Sequence, residues 1–218
     1  MKHSFWEDKW ESQQIGFHNP AVHPLLEKHM GDLGLSTGAR VFLPLCGKTL
    51  DIHWLLAKGF RVCGAELVET AVQDLFRELG VTPSVTQVGD LRIYQAEHID
   101  IFAGDIFKLT AEALGSVDAV YDRAALVALP RRMRIDYTSH IAAITDNAPQ
   151  LLISFDYNQA EMDGPPFSVP GADIREYYQS PYTAALLGRY AVAGGLKGKC
   201  AAKEDVWRLT HTPVSKPS

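Results

Sequence analysis

Apolar residues along this chain fall into short runs that end on small or charged residues, with amphipathic segments between them. Residues 40–47 read Arg-Val-Phe-Leu-Pro-Leu-Cys-Gly. Such a nearly continuous apolar run is typical of a parallel strand buried on both faces. A helix is expected over residues 48–58, and a second apolar run over residues 60–65 ends on Glu66. The pattern predicts a strand, a small-residue turn, a helix and a second strand that ends on an acid.

The rest of the chain continues this alternation of strands and helices. Gly80 predicts the end of a helix over residues 69–79, because glycine is favoured just past a helix C-terminus. Beyond it we expect a hairpin or edge insertion over 84–96, strands over 99–103, 117–121 and 150–155, a helix over 130–147, a short helix over 172–179, and closing antiparallel strands near 183–193 and 204–211. This order predicts an α/β fold with one mostly parallel, doubly wound sheet. A chain of 218 residues is expected to form a single domain.

The turn after the first strand indicates which ligand the fold binds. Glu66 follows it at the distance of about 20 residues that separates turn from ribose-binding acid in Rossmann-like folds. Residues 44–49 contain one glycine, whereas a dinucleotide site uses three so that a pyrophosphate rests on bare backbone. A phosphate-binding P-loop would need a glycine where this chain has Phe42. S-adenosylmethionine, which carries no phosphate, fits best; a nucleotide site or a purely structural turn remain the alternatives.

Composition narrows the class of partner. Apolar residues make up 46% and charged residues 22%, as in an ordinary globular protein. The net charge of −5 and the absence of a basic cluster longer than Arg131-Arg132 argue against nucleic acid or an anionic membrane as partner. The chain has neither the long apolar stretch of a membrane span nor the N-terminus of a signal peptide. Three cysteines and eight histidines without a metal-binding motif predict a cytoplasmic protein with reduced thiols and no metal.

Six groups of residues connect this chain to a known family. They are Phe5-Trp6-Glu7-Asp8-Lys9-Trp10 with Ile15-Gly16-Phe17-His18, Val41-Phe42-Leu43-Pro44-Leu45-Cys46-Gly47-Lys48, Val62-Cys63-Gly64-Ala65-Glu66, Gly104-Asp105-Ile106-Phe107, Tyr121-Asp122-Arg123-Ala124-Ala125-Leu126-Val127-Ala128-Leu129-Pro130, and Gly164-Pro165-Pro166-Phe167-Ser168-Val169-Pro170. In this order the chain resembles the thiopurine S-methyltransferase family, of bacterial type, from about residue 5 to residue 170. The tail after Ser180 resembles the family only loosely.

The resemblance implies a Rossmann-like class I methyltransferase that transfers a methyl group from S-adenosylmethionine to aromatic or heterocyclic thiols such as thiopurines. Bacterial relatives are also associated with selenium and tellurium, so a small chalcogen compound is an alternative acceptor. A nicotinamide-dependent oxidoreductase and a non-catalytic adenosyl-binding module are further alternatives. We expect a monomer that acts on a small molecule. An aromatic thiol is partly ionised near neutral pH, so the reaction needs no strong base.

The carboxyl ends of the strands supply most candidate site residues, because ligands bind there in such sheets. Glu66 is predicted to accept hydrogen bonds from the ribose hydroxyls. Leu45 either brings its backbone close to the methionine part of the ligand or packs in the core. The resemblance gives Asp105 and Ile106 contacts with adenine, although Asp105 is equally suited to cap the next helix.

Other assignments depend on the resemblance. It gives Arg123 a cofactor contact; a structural ion pair with Asp122 is the alternative. The reaction itself makes Asp122 and Arg123 candidate electrostatic helpers. The resemblance also makes residues 1–38 a lid over a sheet formed by residues 39–218. In that lid Trp10 would contact the cofactor and Phe17 the acceptor. Phe167 is a further candidate wall of the acceptor pocket.

Overall fold

The computed structural model describes residues 3–12, 18–179 and 181–211. Its strands are β1 (Arg40–Pro44), β2 (Arg61–Glu66), β3 (Ser84–Val88), β4 (Leu91–Ala96), β5 (Ile99–Ala103), β6 (Ala119–Arg123), β7 (Gln150–Tyr157), β8 (Tyr182–Ala191) and β9 (Ala202–His211). Its α-helices are α1 (His3–Glu11), α2 (Pro24–His29), α3 (Leu50–Ala57), α4 (Glu69–Leu79), α5 (Ala111–Leu114), α6 (Arg131–Ile144) and α7 (Gly171–Tyr177). Short 3₁₀ turns cover Met30–Leu33, Ile106–Lys108, Leu126–Ala128 and Gln159–Glu161.

Over the described residues the nine strands form one sheet in the order β3-β4-β5-β2-β1-β6-β7-β9-β8. The five central strands from β5 to β7 are parallel, and the hairpins β3–β4 and β8–β9 add antiparallel strands at the two edges. The chain order reverses between β1 and β6, which makes the carboxyl ends of these two strands the expected ligand site. The predicted mostly parallel, doubly wound sheet is confirmed.

Helices cover both faces of the sheet because the central strands carry apolar residues on both sides. On one face Phe42 and Val120 pack with residues of α6 and α7, such as Tyr137 and Ile174. On the other face Val41, Leu43 and Val62 pack with residues of α2, α3 and α4, namely Leu26, Ile52, Leu55, Val72 and Leu75. Adjacent strand residues therefore point to opposite layers, as the period of two requires.

Most predicted elements agree with the observed ones within a few residues, and the hairpin at the edge is present. The predicted strand over 117–121 is shifted: β6 begins at Ala119 and includes Arg123. Asp118 lies just before β6, and its Oδ2 accepts a hydrogen bond of 2.7 Å from the amide of Arg40, the first residue of β1. The pair Asp122-Arg123 consequently lies inside the strand, where the two side chains face opposite sides.

Helix α1 lies over the carboxyl end of β1. Its Trp10 is 5% exposed and packs with Val68 and Ala71 near the start of α4, together with Trp6 and Leu67. The segment that precedes the sheet in sequence thus covers the edge at which the parallel strands end. The N-terminal region is thereby in a position to close a ligand site.

Candidate active site

The turn after β1 has an unusual backbone. Leu45 has a φ of +47° and Gly47 a φ of +54°. The left-handed region is costly for a residue with a side chain, and such strain occurs most often at functional sites. A Cβ at Gly47 would lie 3.1 Å from Trp10 Cζ2, so glycine allows the indole to approach the turn. The turn therefore presents backbone to the cavity beneath Trp10.

Glu66 ends β2 beside this turn and is 6% exposed. Its Oε2 accepts a hydrogen bond of 2.8 Å from the Gly47 amide, and its Oε1 accepts one of 2.9 Å from the Val68 amide. Burial raises the pKa of Glu66, although the amides of Val68, Gly47 and Leu67 oppose that shift. Each carboxylate oxygen retains a second lone pair, so the group can still accept hydrogen bonds from a ligand diol.

The end of β6 provides the next wall of the site. Tyr121 and Arg123 line the cavity, and so does Ala124, whose φ is +65°. Asp122 points away from it: its Oδ2 accepts a 2.7 Å hydrogen bond from the Tyr137 hydroxyl. Burial raises the pKa of Asp122 from 3.8 to about 6. A position of Asp122 in the core explains both observations.

These strand ends open into one cavity of about 820 Å³. Six of the sequence-predicted residues line it together: Trp10, Leu45, Glu66, Asp105, Ile106 and Arg123. Asp105 also caps the 3₁₀ turn after β5, since its Oδ1 accepts a 3.0 Å hydrogen bond from the Phe107 amide. The cavity continues past β7 to Gly164–Pro166 and past β8 to Val192 and Leu196. Three inter-strand steps from β2 to β7 span about 14 Å, enough for two ligands side by side.

The other predicted residues lie elsewhere. Phe167 is not among the cavity-lining residues of the described chain; its ring lies 5.6 Å from the Arg134 guanidinium, while the preceding Gly164–Pro166 line the cavity. Asp122 faces the layer of α6 and not the cavity, so its position does not support a helper role. Phe17 lies outside the described residues.

A buried polar network near β1 was not predicted from the sequence. Asp51, at 1% exposure, accepts hydrogen bonds from the His23 amide at 2.7 Å and from the Tyr121 hydroxyl at 3.0 Å. The Leu25 amide donates to His23 Nδ1 at 3.3 Å, which assigns the ring proton to Nε2, 3.1 Å from Glu204 Oε1. This network ties the segment before α2 to the sheet. No local pattern indicates it, because its residues come from separate parts of the chain.

The cysteine and histidine residues that the structure describes in the site show no features of a nucleophile or a metal centre. Burial raises the pKa of the Cys46 thiol well above its usual range, so it stays protonated and is a packing residue. Burial, together with the charges of Lys48 and Arg123, lowers the pKa of His18 below 6.5. Within residues 3–12, 18–179 and 181–211, no group of three or more potential ligands is placed to hold a metal ion. None of the helices described there is long and apolar enough to cross a membrane.

Comparison with known proteins identifies the family. The model of the thiopurine S-methyltransferase family matches residues 1–212. The chain belongs to the thiopurine S-methyltransferase family. It is 53% identical over 210 residues to the thiopurine S-methyltransferase of Xanthobacter autotrophicus, with 96% of this chain and 99% of that protein covered. The corresponding enzyme of Teredinibacter turnerae is 49% identical, with 97% of this chain and 98% of that protein covered.

Solved structures give the same fold. The 1,6-didemethyltoxoflavin-N1-methyltransferase of Burkholderia thailandensis, solved with S-adenosylhomocysteine, has a TM-score of 0.65 at 17% identity, over 95% of this chain and 87% of that chain. The magnesium protoporphyrin IX methyltransferase of Synechocystis has a TM-score of 0.61 at 16% identity, with 96% of each chain covered.

Family and fold together decide between the activities considered from the sequence. The predicted Rossmann-like class I methyltransferase fold is confirmed. Family membership confirms a methyltransferase that uses S-adenosylmethionine and argues against the nicotinamide and non-catalytic alternatives. The cavity also fits this donor, because a buried carboxylate ends β2 beside a turn without the glycines of a pyrophosphate site.

Proposed function

We propose that this methyltransferase methylates the sulfur of an aromatic or heterocyclic thiol, with thiopurines as the reference acceptors. The observation that carries the proposal is the long cavity, which continues from Glu66 past β6 toward apolar walls. Those walls include Val127, Met133 and Phe155. A flat apolar ring is favoured there, because burial of aromatic surface stabilises binding. The name of the family relatives supports the same acceptor class.

The donor half of the cavity is assigned to the ends of β5, β2 and β1. Glu66 accepts hydrogen bonds from the two ribose hydroxyls, since its oxygens keep free lone pairs after binding two backbone amides. Asp105 and Ile106 contact the adenine. Leu45 contributes backbone beside the methionine part, and Arg123 reaches the same region from β6.

Residues 1–38 form a lid in this proposal, and residues 39–218 form the sheet beneath it. Trp10 supports the assignment, because its buried indole lies against the Gly47 turn at the edge of the cavity. An aromatic face is a suitable neighbour for a sulfonium cation, which the electron-rich ring attracts. Phe17 is assigned to the acceptor by family resemblance.

The chain contributes mainly alignment and exclusion of water. Bound S-adenosylmethionine supplies an electrophilic methyl group. The displacement disperses charge, so a cavity that holds the acceptor in line and excludes water lowers the barrier. An aromatic thiol already ionises near neutral pH. Arg123 adds a positive charge to the cavity wall, where an incoming thiolate is stabilised.

An acceptor screen with methyl-labelled S-adenosylmethionine tests the proposal. The panel pairs thiophenol and 6-mercaptopurine with phenol and hypoxanthine, which replace the thiol by a hydroxyl or oxo group. A small selenol tests the chalcogen alternative. We expect label on both thiols and none on the oxygen analogues. Methylation of the selenol alone would transfer the assignment to small chalcogen compounds, and labelled oxygen analogues would contradict a sulfur-specific enzyme.

A further inference from the structure

Lys197 occupies the boundary between two cavities. It lies in the connection between β8 and β9, and its side chain lines the main cavity next to Leu196. The same side chain lines a second basin of about 440 Å³, which residues 160–165 and Lys199 complete. Lys197 Nζ donates a hydrogen bond of 2.7 Å to the Pro165 carbonyl, across the boundary. The acceptor half of the main cavity is therefore adjacent to a basin with a lysine at its entrance.

The ammonium group of Lys197 can donate three hydrogen bonds. One of them goes to the Pro165 carbonyl, which is uncharged. Among the described residues no carboxylate lies within ion-pair distance of this nitrogen. Glu161 and Asp163 line the same basin, and Glu161 Oε1 accepts a 3.1 Å hydrogen bond from the Asn158 side-chain amide. The charge of Lys197 is thus not neutralised by a close partner.

Two other lysines, Lys199 and Lys9, lie close enough to Lys197 to repel its charge. Partial burial lowers the pKa of Lys197, and the ammonium groups of Lys199 and Lys9 lower it further. Lys9 belongs to α1, which packs over the main cavity. Like charges repel one another, and an anionic ligand beside Lys197 offsets that repulsion.

We propose that Lys197 binds an anionic substituent of the methyl acceptor, so that aromatic thiols bearing a carboxylate or similar oxyanion are preferred substrates. The inference rests on the proposed thiol acceptor and defines its class further. The ring lies between the apolar walls of the main cavity, and the oxyanion reaches the boundary with the second basin. Lys197 is only partly buried, so water screens its interaction with the oxyanion. We therefore expect the charged substituent to raise kcat/KM by roughly three- to tenfold.

The test compares 4-mercaptobenzoate with its methyl ester, which keeps ring and thiol but removes the charge. The measured quantity is the ratio of kcat/KM for the acid to that for the ester. In the wild type this ratio exceeds one, after correction for the thiolate fraction of each compound. In Lys197→Gln it falls roughly three- to tenfold, whereas Lys197→Arg retains it. Glutamine can still donate a hydrogen bond, so the ratio distinguishes charge recognition from a structural contact.

Two controls separate this inference from the proposed function. Lys58→Gln removes the same charge near the opposite, amino-terminal edge of the sheet and should leave the ratio unchanged. The second control uses 4-(methylthio)benzoate, which has no thiol, in a thermal-shift titration. It should stabilise the wild type more than Lys197→Gln. If neither thiol is methylated but this difference persists, the anion site stands and the thiol acceptor is wrong. An equal ratio in wild type and Lys197→Gln, or equal stabilisation of both, overturns the inference.

Discussion

Gly47 and Glu66 connect the first two strands at the ligand edge: the Gly47 amide donates a 2.8 Å hydrogen bond to Glu66 Oε2. The carboxylate therefore fixes the β1 turn and remains available to a ligand. Sequence spacing alone indicated a ribose acid, whereas the structure adds that the same side chain holds the turn. Substitution of Glu66 is consequently expected to affect both the ligand and the loop that covers it.

Glu66→Ala should weaken binding of S-adenosylmethionine by roughly a hundredfold or more. The substitution removes the two charge-assisted hydrogen bonds that Glu66 is proposed to accept from the ribose hydroxyls, each worth about 1.5–3 kcal/mol. Isothermal calorimetry measures the affinity, and circular dichroism checks that the sheet persists. Glu97→Ala is the matched control, because its carboxyl is 90% exposed and remote from the cavity. Unchanged affinity in Glu66→Ala would show that the ribose does not bind at Glu66.

Trp10→Ala should raise the KM for S-adenosylmethionine and leave the acceptor KM nearly unchanged. The substitution opens the site by removing the indole that packs at the Gly47 turn. Trp54→Ala, in α3 outside the cavity lining, is the control for the general loss of a large side chain. From the family resemblance, Phe17→Ala should show the reverse pattern and raise the acceptor KM. Parallel changes in both constants would mean that the lid acts as one unit.

The buried carboxyl of Asp122 should make stability depend on pH. Its pKa is raised from 3.8 to about 6, so the native state binds this proton more tightly than the unfolded chain. The associated stability is fully present below pH 3.8 and is lost as the pH rises through about 6. Urea unfolding of wild type and Asp122→Asn at pH 5 and pH 7.5 measures it. Relative to the variant, the wild type should lose about 1 kcal/mol at the higher pH. A constant difference would contradict the assignment.

Asp51 and Tyr121 should be energetically coupled. Asp51→Ala leaves the His23 amide and the Tyr121 hydroxyl without their buried acceptor, at a cost of about 2–4 kcal/mol in unfolding free energy. Tyr121→Phe should cost about 1 kcal/mol, and the double variant less than the sum. Urea denaturation of the four proteins gives the coupling energy. Additive values would show that the 3.0 Å hydrogen bond contributes nothing to stability.

Much of the sheet was predictable because its strands carry strong local signals. The apolar run at β1, the acid at the end of β2 and Gly80 after α4 are each readable from a few neighbouring residues. Gly80 has a φ of +70°, as the C-cap prediction required. Leu45 and Glu66 were indicated in the same way by their positions at strand ends, whereas Trp10, Asp105, Ile106 and Arg123 were assigned from the family resemblance. All six line the cavity.

The remaining parts of the site depend on tertiary contacts that a single sequence does not contain. Asp51, His23 and Glu204 meet only after α2, α3 and β9 have packed. Lys197 lines the cavity from the connection between β8 and β9, two strands at one edge of the sheet. The orientation of Asp122, in contrast, was available from sequence: strand alternation places Arg123 and Tyr121 on one side and Asp122 on the other.

The junction between β1 and β6 has a consequence for how the protein unfolds. Two residue pairs, Val41–Ala119 and Phe42–Val120, join these strands, whereas five pairs join β1 to β2. The cavity lies across this narrow seam, with Glu66 on one side and Arg123 on the other. A ligand that contacts both β2 and β6 raises the free energy needed to separate β1 from β6 for as long as it is bound. If the methyl donor contacts both Glu66 and Arg123, we expect its binding to stabilise the junction between β1 and β6 in particular.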